Sequence, residues 1–177
     1  MEWFASAFRT LHCDVWQTTA PGLVRQWLVM TAQSLSEHYS ETLIEHFEHP
    51  RNAGAMVDAD VEGFVTNPVC GDSMRLFLRI ESETRETGAG QERVAAASFL
   101  TSGCPASIAT SSVATEIIAG LTLPEAEALT REDYANAIGG LPKSKQHCSV
   151  LARAAVRAAI ENWRASRPAG EAANAGP

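Results

Sequence analysis

Between Val61 and Gly103 the chain reads as three extended runs separated only by short polar segments, and this pattern constrains the fold more than any other feature. "VEGFVTNPVC" is the first run and "MRLFLRIES" the second. In the second, Leu76, Leu78 and Ile80 alternate with Phe77 and Arg79, the period of a half-buried strand. "RVAAASFLTSG" is the third, reached through the glycine-bearing polar turn "TRETGAGQER". Consecutive strands joined by connections too short for a crossover helix run antiparallel, so the three are expected as a meander. Helical signals flank them. "SLSEHYSETLIEHFEHPRNAG" offers Ser34 and Glu37 as a capping box, puts Leu43, Ile44 and Phe47 on one face, and stops at Pro50 and Gly54. "CPASIATSSVATEIIAG" places Pro105 at a first helical position and Gly120 at the end. "LTLPEAEALTREDYANAIGG" holds one or two short helices ended by Gly139 and Gly140. "HCSVLARAAVRAAIENWRAS" is a final helix with Ala152, Val156, Ala159, Ile160 and Trp163 along one stripe. The expected class is α+β, a small antiparallel three-stranded sheet packed on one side by helices.

One domain is expected over residues 35–166. Residues 1–34 read as an N-terminal extension, either disordered or upstream of the natural start, since Met30 opens the start-like "MTAQSLSEHYS". Residues 167–177, "RPAGEAANAGP", read as a disordered tail of small and polar residues. With 177 residues, 45% hydrophobic and 20% charged, the chain can bury a core without disulfide staples. Its formal net charge of -7 argues against a nucleic-acid partner. No run approaches the ~18 apolar residues of a membrane span. The aromatic residues Trp3, Phe4, Phe8, Trp16 and Trp27 are interrupted by Glu2, Arg9, His12, Asp14 and Arg25, which is not the pattern of a signal peptide. The four cysteines, Cys13, Cys70, Cys104 and Cys148, are widely spread with no CxxC, so reduced thiols and a cytoplasmic location are expected.

Cys13 reads as a buried small hydrophobe, whereas the other three fall at the edges of expected elements. Cys70 and Asp72 are two apart in extended chain, which projects them to one side, and Gly71 between them lets the backbone approach closely. Cys104 precedes Pro105 at a helix start, where the dipole favours a thiolate. Cys148 follows His147 at another helix start, with Lys143 and Lys145 adding positive charge. Convergence of these segments would bring Cys70, Asp72, Cys104, His147 and Cys148 within reach of one metal or cluster. Each has a plain structural alternative: a turn aspartate, a capping or surface histidine, and helix-start thiols that are merely buried. Of these thiols Cys148 has the strongest local support for a nucleophilic thiolate and Cys104 the next. A thiol enzyme with Cys–His activation is disfavoured, because neighbours on a helix point about 100° apart.

Four stretches, "YSETLIEHFEHPRNAG", "NPVCGDSMRL", "FLTSGCPASIATSSVATEIIAG" and "LPKSKQHCSVLARAAVRAAIENW", together resemble the scaffold proteins of iron–sulfur cluster assembly, IscU and the amino-terminal domain of NifU. The resemblance runs from Tyr39 to about Trp163. It implies a SufE/NifU-like fold and a non-enzymatic carrier. Such a carrier takes sulfur from a cysteine desulfurase, takes iron, builds a transient [2Fe-2S] cluster and passes it to acceptor or carrier proteins. It implies Cys70, Cys104 and Cys148 as ligands, Asp72 as the residue that keeps the cluster labile, His147 beside the last cysteine, and Zn2+ binding at the same place. Tyr39 matches a tyrosine implicated in pairing two scaffolds, in keeping with a monomer or transient dimer. The family segment gripped by an Hsp70-type chaperone is Leu-Pro-Pro-Val-Lys. Here "LPKSK" keeps Leu141, Pro142 and Lys145 but carries Lys143 and Ser144 between them, which argues against such a chaperone. The alternative within the same resemblance is a SufU-type zinc-dependent sulfurtransferase partner of a desulfurase. That type carries a long insertion between its second and third cysteines and lacks the histidine, unlike this chain with His147.

Overall fold

The computed structural model describes residues 39–68, 70–83 and 91–167. The expected N-terminal extension, the Ser34–Glu37 capping box, the centre of the 84–93 turn, Cys13 and nearly all of the expected tail lie outside the described residues. Along the described chain, α1 (Glu41–Glu48) leads into β1 (Val61–Thr66), β2 (Ser73–Glu83) and β3 (Gln91–Ser102). Then come α2 (Pro105–Ile118), α3 (Leu123–Ala128), α4 (Arg131–Ala137), a 3-10 turn (Lys143–Lys145) and α5 (Gln146–Ser166).

The sheet is the expected meander, ordered β1-β2-β3 with both pairings antiparallel. Strand β1 is shorter than its sequence suggests. Pro68 has no N–H to give a ladder, and the chain turns instead, with Asn67 N–H bonding the Asp72 carbonyl at 2.7 Å and Gly71 N–H the Asn67 carbonyl at 2.9 Å. Gly71 takes φ 76°, a conformation glycine adopts without strain. Cys70 and Asp72 therefore sit in a turn and not on one face of a strand.

Alternation sorts the sheet into two faces. Met74, Leu76, Leu78, Val94 and Phe99 face the helices and are buried, while Phe64 and Leu100 are exposed on the other side. On that outer face Arg75 lies 5.2 Å from the Phe64 ring centroid and pairs with Glu62 at 2.8 Å. The inner face meets α5, whose stripe of Leu151, Ala152, Ala155, Val156, Ala159 and Ile160 is buried as its spacing predicts. The loop after α1 covers the free edge of β3: Gly54 N–H bonds the Phe99 carbonyl and Phe99 N–H the Asn52 carbonyl.

Helix α2 is buried nearly all round although it is rich in serine and threonine. Its hydroxyls turn back on their own backbone, Thr110 to the Ala106 carbonyl at 2.6 Å and Ser111 to the Ser107 carbonyl at 2.8 Å, so burial leaves them satisfied. Helix α1 starts at Ser40, whose hydroxyl accepts from Leu43 N–H and donates to the Ile138 carbonyl. Its other end is tied by His46, which is buried and bonded to Ser112 Oγ at 2.9 Å, with the Arg51 guanidinium against the same ring.

Burial, then Arg51, pull the His46 pKa below 6.5, with Glu116 and Glu45 opposing. The unfolded chain thus binds a proton at His46 at a pH where the folded chain does not. Stability is complete above about pH 6.5 and declines as pH falls from there toward the lower folded value. Urea unfolding between pH 7.5 and 5.5 is expected to show this decline, and His46→Gln is expected to flatten it.

Candidate functional site

One register pair explains how distant residues meet. Ser73 at the start of β2 lies opposite Ser102 at the end of β3. The residues just beyond, Asp72 and Gly103, are thereby neighbours, and the chain then turns at Cys104 into α2. The first turn of α5 comes to the same end of the sheet. The ligand atoms of Cys70, Asp72 and His147 all lie within 4.8 Å of one another, and so do those of Asp72, Cys104 and Cys148. Asp72 belongs to both groups. The sequence-derived set is therefore assembled as two triads hinged on one carboxylate, with His147 and Cys148 serving different triads as their helical offset dictates.

The triads differ in exposure. Cys70 is exposed and His147 half-buried, whereas Asp72 and Cys148 are buried and Cys104 is intermediate. Cys104 is the N-cap of α2, with extended φ of -73° and ψ of 166°, and its side chain makes no capping bond. Its sulfur lies 3.8 Å from that of Cys148.

Electrostatics divide these groups. Burial works to raise the Asp72 pKa, but hydrogen bonds from the Ser107 hydroxyl, the Cys104 N–H and the Cys104 and Cys70 thiols outweigh it. The result lies below the ordinary value of 3.8, so Asp72 is a carboxylate. Cys148 departs from the expectation that its helix start and basic neighbours would favour a thiolate. It is the third residue of α5 and faces a packed cluster of Leu43, Ala106, Ala109, Val113 and Ile138. Burial, with Cys104 and Asp72 adding to it, pushes its thiol up to about 12. Cys104 chiefly, with Tyr39 and Cys148 contributing and burial opposing, raises the Lys145 pKa above its usual value. Tyr39 itself packs on the cluster that contains Cys148.

Two residues at the site were not singled out from sequence. Ser107 donates to Asp72 Oδ2 at 2.8 Å and is itself buried. Its spacing of three from Cys104 puts it on the same side of α2, which is the signal that could have marked it. Gly103 is the other: a Cβ there would lie 2.7 Å from Asp72 Cγ. Among the remaining histidines, His46 is committed to Ser112 and Arg51, which leaves no role for it as a base beside the thiols.

A three-stranded meander under helices, with thiols, a carboxylate and an imidazole gathered at one sheet end, defines a small α+β protein with a thiol-rich candidate metal site. Residues 38–169 match the NifU-like N terminal domain, and the chain belongs to that family, as its motifs suggest. It is 46% identical over 125 residues to the iron-sulfur cluster assembly scaffold protein IscU 1 of Archaeoglobus fulgidus, covering 71% of this chain and 76% of that one. It is 40% identical over 134 residues to the scaffold protein IscU of Escherichia coli, covering 74% and 98%. In fold it resembles the N-terminal NifU-like protein of Brucella abortus, with a TM-score of 0.54, 16% identity, and coverage of 75% and 99%.

Proposed function

We propose that this protein is a scaffold on which [2Fe-2S] clusters are assembled and from which they are released, the cluster being cargo. The observation that carries the reading is the pair of triads sharing Asp72, one opening to solvent through Cys70 and one sunk beside Cys104 and Cys148. Three thiols suit iron and sulfide, and the imidazole is a further borderline donor. A carboxylate is the hardest and least suited of the set, which favours release over storage. The same donors suit Zn2+, which the protein is proposed to bind when no cluster is present. The names of the IscU relatives support the same work.

The partners on this reading are a cysteine desulfurase and cluster acceptor or carrier proteins, the departure of "LPKSK" from the family segment arguing against a dedicated Hsp70-type chaperone, and the compartment is the cytoplasm. The protein acts as a monomer or transient dimer and turns over no substrate of its own. Among the described residues no helix is long and apolar enough to cross a membrane. Sulfur arrives when a scaffold thiolate attacks the outer sulfur of the desulfurase persulfide. One S–S bond forms on the scaffold as the other breaks, and the desulfurase thiolate leaves. Cys148 is the proposed acceptor, its thiolate becoming accessible only when the packing that raises its thiol pKa opens, and the less buried Cys104 is the alternative. Leu141 packs on the cluster around Cys148, so delivery there requires the segment 141–145 to move aside.

The test is anaerobic incubation with ferrous iron, cysteine, a reductant and a catalytic amount of desulfurase. Sulfide-to-iron charge-transfer bands are expected to grow in the native protein and to be absent in Cys104→Ser. Mass spectrometry of the iron-free mixture is expected to find the persulfide on Cys148. A native level of persulfide on Cys148→Ser would move that role to Cys104. A colourless protein that keeps zinc and accelerates the desulfurase would favour the SufU-type reading.

A further inference from the structure

The carboxylate of Asp72 sits in a fitted niche. On one side the absent side chain of Gly103 makes room, since a Cβ there would lie 2.7 Å from Cγ and 3.0 Å from Oδ2. On the other the Ser107 hydroxyl bonds Oδ2 at 2.8 Å. Ser107 is only 2% exposed and Asp72 only 8%, so neither has water to replace the other as a partner. The niche is itself held from behind: Ser111 Oγ bonds the Ser107 carbonyl at 2.8 Å and lies 2.7 Å from Thr101 Oγ1, which fixes α2 against the end of β3. The carboxylate orientation is thus set by the protein before any metal arrives.

We propose that Ser107 is a positioning residue for metal binding, which holds Asp72 so that its carboxylate faces both triads at once. This rests on the reading of Asp72 as a ligand. Outer hydrogen bonds of this kind fix the orientation of a ligating carboxylate, and their loss typically weakens metal binding about 10-fold to 100-fold. Without the hydroxyl, Asp72 Oδ2 loses its buried donor and the carboxylate is held less firmly in the shared position.

The experiment titrates the apo protein with Co2+ and follows its visible d–d bands, for native protein, Ser107→Ala, Asp72→Ala and the double variant. Ser107→Ala is expected to bind Co2+ about tenfold more weakly, with bands shifted toward those of Asp72→Ala. In the Asp72→Ala background the serine change is expected to have no further effect. Ser107→Thr, which keeps a hydroxyl, is expected to restore the native spectrum. Native affinity and bands in Ser107→Ala, with Asp72→Ala still shifted, would overturn the role of Ser107 and leave Asp72 a ligand. An equal loss on the Asp72→Ala background would also overturn it, because the effect would not run through the carboxylate. Unchanged bands in Asp72→Ala would instead sink the ligand reading itself.

Discussion

Asp72→Ala is expected to lengthen the life of the bound [2Fe-2S] cluster about tenfold, the effect of raising a ligand-exchange barrier by about 1.4 kcal/mol. Cluster release requires a protein ligand to give way to an incoming one. Asp72 is the donor least suited to iron bound with sulfide, and it lies within 4.8 Å of the ligand atoms of both triads. Its low pKa keeps it charged, a hard anionic oxygen donor among softer sulfur and nitrogen ligands. Removing it leaves Cys70, Cys104, Cys148 and His147, four softer donors that suffice for the cluster. A single Co2+ ion, in contrast, loses a ligand and binds less tightly, so the two measurements move in opposite senses for one physical reason. The decay of visible absorption in the presence of a chelator measures the lifetime. Faster decay in Asp72→Ala than in the native protein would show that the carboxylate holds the cluster and does not loosen it.

The strand and helix order was legible because each element carries its own period. Leu76, Leu78 and Ile80 announce β2, and the stripe from Ala152 to Trp163 announces α5. The grouping of the candidate residues was legible for a related reason: Cys70, Cys104 and Cys148 fall where elements begin or turn, and one end of the sheet meets the first turn of α5. What sequence could not supply was depth. Cys148 has a basic neighbourhood along the chain, yet its surroundings in space are Leu43, Ala106 and Ile138 from three other elements, so burial outweighs local charge. The geometry of Cys70 and Asp72 was misjudged through Pro68, which ends the β1 pairing and converts an expected strand into a turn. Ser107 was hidden because a buried serine in a serine-rich helix looks like all the others until its partner, Asp72, is placed beside it.

Gly63→Ala is expected to destabilise the protein by about 3 kcal/mol or more, as overpacking against backbone does. In sequence Gly63 looks like a weak point of β1. In the fold it is the place where α5 crosses the strand. A Cβ there would lie 2.5 Å from the Ala155 carbonyl oxygen, 2.5 Å from Ala159 N and 2.9 Å from Ala159 Cα. These are backbone atoms in the middle of a helix, so no rotamer change relieves the clash and α5 has to lift as a unit. Its C-terminal part is tethered, with Asn162 bonding the Glu62 carbonyl at 2.8 Å and Trp163 bonding Glu92 at 3.2 Å. A displacement of α5 therefore also reaches its first turn, where His147 and Cys148 stand against Asp72. Urea unfolding is expected to show the loss of stability, while Thr66→Ala, exposed on the same strand, is expected to stay within about 0.5 kcal/mol of native. The same lift is expected to weaken Co2+ binding in Gly63→Ala protein that remains folded, because one member of each triad rides on α5. A Gly63→Ala protein as stable as the native one would mean that the helix sits farther from β1 than these distances state.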